Sequence, residues 1–148
     1  MKSQRFPRTA ATAIFTPILL AVLAGCGASG LNPVDGKVVW SDGSPATDLA
    51  GSRVTFDLPE KGIGAIGQIQ ADGSFTLMTS EPGDGAMAGD YKVLIMEVGR
   101  KPKPGGEEGE MAPGKIDIRY ADPSTTDLVA TVKPGKNKIT LTVERWKP

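Results

Sequence analysis

The 148-residue chain carries few side chains able to do covalent or metal chemistry, and their distribution is informative. There is one cysteine, Cys26, and no histidine. A lone thiol has no partner for a disulfide within the chain. Without histidine there is no Ser-His-Asp or Cys-His catalysis and no zinc site of the usual nitrogen and sulfur type. A Ser–Lys hydrolase needs no histidine, but the chain contains no S-x-x-K spacing. Carboxylates are more plentiful. Asp42, Asp72, Asp84, Asp90 and Asp122 fall in turn-like stretches, where sandwich loops can ligate calcium through several oxygens. No D-x-D-x-D-G spacing occurs, and Asp-Gly already has a conformational reason to sit in a turn. Lys37 and Asn137 raise one further option, an isopeptide bond between the first and last strands. That reaction requires a desolvated, neutral lysine beside an acid. Lys37 lies on the strand parity opposite Val38 and Trp40, so it is expected to face solvent. These residues imply no cofactor, no metal and no catalytic set.

Cys26 follows a distinctive leader. Lys2, Arg5 and Arg8 precede an uncharged run, Ala10 to Ala24, that is shorter than the about 20 residues a membrane-spanning helix needs. Pro17 interrupts the run. The run ends in Leu23-Ala24-Gly25-Cys26, which resembles the bacterial lipobox at all four positions. The resemblance implies cleavage before Cys26 and attachment of a diacylglycerol to its sulfur. Two or three acyl chains anchor a protein stably where one does not. The expected organisation is a signal peptide over 1–25, a lipidated cysteine and flexible tether over 26–33, and a domain over 34–146. Gly27 after the cysteine, rather than Asp, favours outer-membrane sorting by analogy with well-studied bacteria. The expected location is the cell envelope, with the domain facing the periplasm or the cell surface.

Composition bounds the domain. Removing the three basic leader residues from a chain with 17 basic and 17 acidic side chains leaves a net charge of −3. That balance gives no footprint for nucleic acid and implies no basic patch for anionic lipid heads, so the lipid itself is expected to do the anchoring. With 19 glycines and 12 prolines, the chain should break into short strands and turns.

Period-two alternation marks seven strands. In Val34–Trp40, Val34, Val38 and Trp40 share one face. In the next strand Val54, Phe56 and Leu58 point inward, and Arg53, Thr55 and Asp57 outward. A weaker strand covers Gly64–Gln70, and another carries Phe75 and Leu77. Tyr91–Val98 is apolar on both faces and reads as a central strand. Leu128–Val132 and Lys138–Glu144 complete the set, with Ile139, Leu141 and Val143 inward. Asp72-Gly73 reads as a tight hairpin turn. The pattern predicts an all-β fold, a seven-stranded antiparallel Greek-key sandwich. Tyr91 is either a tyrosine corner or a core residue at a strand start. The connection Gly99–Asp127 is polar in its first half, so 100–115 should be mobile. Its second half, with Ile116, Ile118 and Tyr120, should pack back on the sandwich.

Several stretches in order, "PVDGKVVWSDGSP", "RVTFDLPE", "GQIQADGSFTL", "AGDYKVLI" and above all "RYADPSTTDLVATV", resemble the carboxypeptidase-regulatory-like, transthyretin-like domains found as bacterial lipoproteins. The resemblance implies a prealbumin-like sandwich without catalytic residues, acting as a structural or protein-interaction module with an unknown envelope protein as partner. It does not imply peptidase activity, because the zinc ligands of a carboxypeptidase are missing. A binding module for cell-wall glycan or peptide through the loop end is the alternative. A histidine-free hydrolase is the remote one. For the binding alternative, Trp146 and Tyr120 are the aromatic candidates for ligand contact, whereas Trp40 has the parity of the core.

Overall fold

Short alternating segments bury one face each, so the chain can only satisfy them by stacking sheets. The computed structural model describes residues 30–108, 110 and 112–147. The leader, the residues Leu23, Ala24 and Gly25, and Cys26 lie outside the described residues. Nine strands are present among the described residues: β1 (Leu31–Asn32), β2 (Val34–Trp40), β3 (Arg53–Leu58), β4 (Ile63–Gln68), β5 (Ser74–Thr76), β6 (Ala86–Met87), β7 (Gly89–Met96), β8 (Val129–Val132) and β9 (Asn137–Val143). They form a three-stranded sheet in the order β5-β2-β9, a four-stranded sheet in the order β4-β3-β7-β8, and a ribbon of β1 with β6. No described helix is long and apolar enough to cross a membrane.

The all-β reading and the inward parities hold. Val34, Val38 and Trp40 of β2, Val54, Phe56 and Leu58 of β3, Tyr91, Val93 and Ile95 of β7, and Leu141 and Val143 of β9 meet in one core. Burying each large apolar side chain contributes about 1.5–3 kcal/mol. An aromatic row crosses the core, with ring centroids 6.1 Å apart for Phe75–Phe56 and 5.7 Å for Phe56–Tyr91. The row fits because Gly36 lies opposite Phe75 in register. A Cβ at Gly36 would stand 2.1 Å from the Phe75 ring.

Three expectations are corrected. The strand count is nine rather than seven, because two-residue strands such as β1 and β6 are too short to show periodicity. The sandwich is not wholly antiparallel: β2 and β9 run parallel over their full length, from Val34↔Asn137 to Trp40↔Val143. The Asp72-Gly73 turn does not close a hairpin within one sheet. It carries the chain from β4 in one sheet to β5 in the other.

Tyr91 is a core residue near the start of β7. Its ring is buried, and its hydroxyl donates to the Met87 carbonyl, four residues upstream, at 2.9 Å. The long connection also packs as foreseen in part. Ile116 and Tyr120 are buried, but Ile118 is exposed, because Ile118–Ala121 winds into a 3-10 turn and breaks the alternation. This turn closes the side of the sandwich above β8, which pairs only with Gly89–Lys92. There the Val93 amide donates to Leu128 O (2.9 Å) and Thr126 Oγ1 donates to Val93 O (2.8 Å). Within 100–115, the Lys103 amide donates to Glu110 O and the Ala112 amide to Lys101 O, which ties the two limbs together.

The chain enters the sandwich beside the β8–β9 turn. Asn32 holds three places at once. Its Nδ2 donates to Ala86 O (3.3 Å), its Oδ1 accepts from the Gly135 amide (2.8 Å), and β1 pairs with β6. Gly85 permits this approach, since a Cβ there would stand 1.8 Å from Asn32 O. The segment expected to be a free tether through residue 33 is therefore bound to the domain from Leu31 onward.

Candidate functional site

The turn aspartates already have work inside the fold. Asp42, Asp72 and Asp122 each precede a serine by two positions, and each accepts from that serine's hydroxyl and amide. The amide distances are 2.7 Å for Ser44, 2.9 Å for Ser74 and 2.7 Å for Ser124. The serine hydroxyl, and then the serine amide, holds each carboxyl below its ordinary value. Asp84 accepts from the amides of Thr79, Ser80 and Glu81, and these donors lower its pKa, Thr79 most. Asp90 accepts from Thr131 Oγ1. The bonds of Asp42, Asp72, Asp84 and Asp122 are local turn caps, in which side-chain oxygens stand in for backbone acceptors, whereas Asp90 and Thr131 pair across β7 and β8. Among the described residues no group of three or more acidic, cysteine or histidine side chains converges on a point that could hold a metal.

Lys37 and Asn137 are not brought together. Lys37 is exposed and lies opposite Thr140, while Asn137 lies opposite Val34. The Asn137 side chain instead closes the β8–β9 turn, accepting from the Lys133 amide and donating to the carbonyls of Lys133 and Gly135. An isopeptide bond between them has no geometry to form.

The aromatic candidates separate. Tyr120 is 2% exposed, so its ring offers no surface to a ligand. Its hydroxyl accepts from the Glu144 amide (3.1 Å) and from Arg119 (2.7 Å). Arg119 in turn sits within 3.5–3.8 Å of carboxylate oxygens of Glu144, Asp127 and Asp117. This cluster fastens the long connection to the end of β9. Trp40 is in the core, as its parity predicts, with Nε1 donating to Asp48 (3.0 Å) and the Arg145 guanidinium 4.0 Å over its ring. Trp146 is exposed.

The concave surface lies elsewhere, on the outer face of the four-stranded sheet. In register, Arg53 stands between Gln68 and Met96, and Thr55 between Ile66 and Leu94. Two hydrogen bonds of 2.8 Å between Ile66 and Met78 lift the segment after β5 against the edge of β4, forming one wall. Val98, whose amide donates to Ser52 Oγ (3.2 Å), closes the far end. The result is an open groove of about 790 Å³ lined by Arg53, Ile66, Gln68, Met78, Met96 and Val98 among others. That volume is in the range of ligand-binding clefts. Met96 is 54% exposed and Val98 57%, large values for apolar side chains gathered on one sheet face. Methionine adapts its shape readily, and Arg53, Gln68 and Glu97 add polar groups to the lining.

Sequence reasoning missed this groove. The signal was present in "YKVLIMEV", apolar on both faces. That pattern suits a strand covered on both sides, and it equally suits one whose outer face lines a groove. β7 does lie inside its sheet, between β3 and β8.

No family model and no curated protein sequence matches the chain. Among solved structures it is similar to a DUF3823 family protein from Bacteroides ovatus, with 17% identity, 76% of this chain and 44% of that chain covered, and a TM-score of 0.42. It is also similar to a DUF3823 family protein from Parabacteroides merdae, with 15% identity over 76% of this chain and 45% of that one, and a TM-score of 0.39. A 9R-lipoxygenase from Cyanothece shares 14% identity over 94% of this chain and 19% of that one, with a TM-score of 0.39. The chain thus spans less than half the length of the DUF3823 proteins it resembles. Likeness at this level bears on neither activity nor partner.

Proposed function

We propose that the protein is a lipid-anchored, non-catalytic module of a bacterial cell envelope, held on the membrane through Cys26. The observation that carries this reading is the sequence Leu23-Ala24-Gly25-Cys26 behind a basic, then apolar, leader. The fold supports it in a second way. The body begins at Leu31, five residues after Cys26, a span of at most about 17 Å. A domain so attached works close against its membrane. Its finer architecture is a prealbumin-like Greek-key sandwich of the carboxypeptidase-regulatory-like kind, with a structural or interaction role. The turn aspartates accept from serine and backbone donors, which supports a structural role for them.

Growing cells with a palmitate analogue tests the anchor. The wild-type chain should take up label and fractionate with membranes, and Cys26→Ser should do neither. An unlabelled wild-type chain that fractionates as the variant does would refute the reading.

The groove favours a second element of the reading, that the module binds an extended apolar peptide segment. Of the two aromatic candidates for a loop-end glycan or peptide site, Tyr120 is buried and Trp146 is exposed. A photo-reactive residue at position 96 should cross-link one defined partner in cells, and the same residue at position 140, on the opposite sheet, should not. Equal capture at both positions would remove the groove from the account.

A further inference from the structure

Folding gathers charge that the total of −3 conceals. Lys133 and Lys136 lie on the β8–β9 turn, and Lys138 stands beside it on β9. All three are exposed, and none forms an ion pair among the described residues. The nearest acid in register is Asp35, opposite Lys138, whose carboxylate accepts from Thr76 Oγ1 at 2.8 Å. The same turn is fastened to the entry of the chain: the Gly135 amide donates to Asn32 Oδ1, and the Asn137 amide donates to Pro33 O at 2.9 Å. The loop on the other side of that entry, Thr79–Gly85, carries Glu81 and Asp84 and no lysine. It also supplies Pro82 and Gly83 to the groove. Glu60 and Lys61, on the β3–β4 turn, balance one another.

We infer that the β8–β9 turn docks on anionic phospholipid headgroups of the membrane that holds Cys26, with the acidic loop and its groove tipped away from the surface. The inference rests on lipidation of Cys26, which brings the turn to the headgroups through a tether of five residues. Binding that would be weak from solution becomes effective when the tether keeps the partner close. A lysine near an anionic bilayer shifts such an equilibrium about fivefold. The attraction acts over about 10 Å at 0.1 M salt, so it reaches headgroups only from residues at the membrane side.

The lipidated mature protein, extracted from membranes, would be placed in vesicles of phosphatidylcholine alone or with phosphatidylglycerol. Amide hydrogen exchange would then be followed along the chain. Exchange over Lys133–Lys138 should slow on the anionic vesicles and not on the neutral ones, while Thr79–Gly85 stays unchanged. The slowing should disappear at about 1 M salt, where screening shortens to about 3 Å. In Lys133→Gln/Lys136→Gln the ratio of docked to undocked protein should fall about fivefold for each lysine removed, with β3 exchange unaltered. Equal exchange on both vesicle types, with the protein still vesicle-bound, would overturn the docking and leave the anchor standing. A product without lipid that does not stay on either vesicle would overturn both.

Discussion

The two sheets of the sandwich bury similar inner faces and expose unlike outer ones. Outside the three-stranded sheet stand Asp35, Lys37, Thr76, Lys138, Thr140 and Thr142, a polar, solvated surface. Outside the four-stranded sheet stand Ile66, Leu94 and Met96, extended by Met78 and Val98 into a groove. Folding explains the inner faces completely, because each strand must bury its apolar side. It does not require methionine and valine on a solvent face. The difference separates residues kept for the fold from residues free to serve a partner, and substitutions can measure that separation.

The largest effect should come from the shared core. Phe56→Ala removes the middle ring of the Phe75–Phe56–Tyr91 row and should cost about 3–5 kcal/mol in urea unfolding. A cost near that of an exposed site would mean that the row is not packed as described. Gly36→Ala should cost roughly 1–3 kcal/mol, since its methyl group meets the Phe75 ring and both neighbours must shift. Pairing Gly36→Ala with Phe75→Leu should recover part of that loss, and strict additivity would argue against the contact.

Acid should weaken the turns next. Asp42, Asp72, Asp84 and Asp122 hold pKa values below 3.8 in the fold through serine and backbone donors. The unfolded chain therefore takes up protons first as pH falls. The stability they contribute is complete above that value and declines as pH drops through the lower folded values. Asp84→Asn should flatten this part of the stability-against-pH curve, measured by thermal unfolding. A curve as steep as that of wild type would remove Asp84 from the explanation. The smallest effect on stability is expected in the groove. Met96→Gln should change unfolding by no more than about 0.5 kcal/mol, yet abolish cross-linking from a photo-reactive residue placed at position 78 of the same groove. A large destabilisation would mean that the outer face serves the fold after all.

Much of this contrast could be read from residue order, and the rest could not for definite reasons. Val54, Phe56 and Leu58 declare their face by alternation, as do Val34, Val38 and Trp40. The parallel pairing of β2 with β9 is not legible, since it joins residues about a hundred positions apart with no turn between them to fix direction. Tyr120 was an aromatic candidate for ligand contact even though its half of the long connection was expected to pack back on the sandwich. Its burial depends on a 3-10 turn and on Glu144 and Arg119, contacts that alternation does not encode. The groove was hidden for the opposite reason: Met96 continues the apolar run of β7, and only the lack of a covering layer over that face exposes it. The basic turn was masked by a net charge that sums over the whole chain.

The central claim is that this sandwich hangs from its own Cys26. The most direct measurement is the intact mass and N-terminal analysis of the protein extracted from bacterial membranes. The account predicts a chain beginning at residue 26, with no free thiol and an added mass equal to a diacylglyceryl group with or without one further acyl chain. A chain that begins elsewhere, or a Cys26 found as an unmodified thiol in the extracted protein, would contradict it.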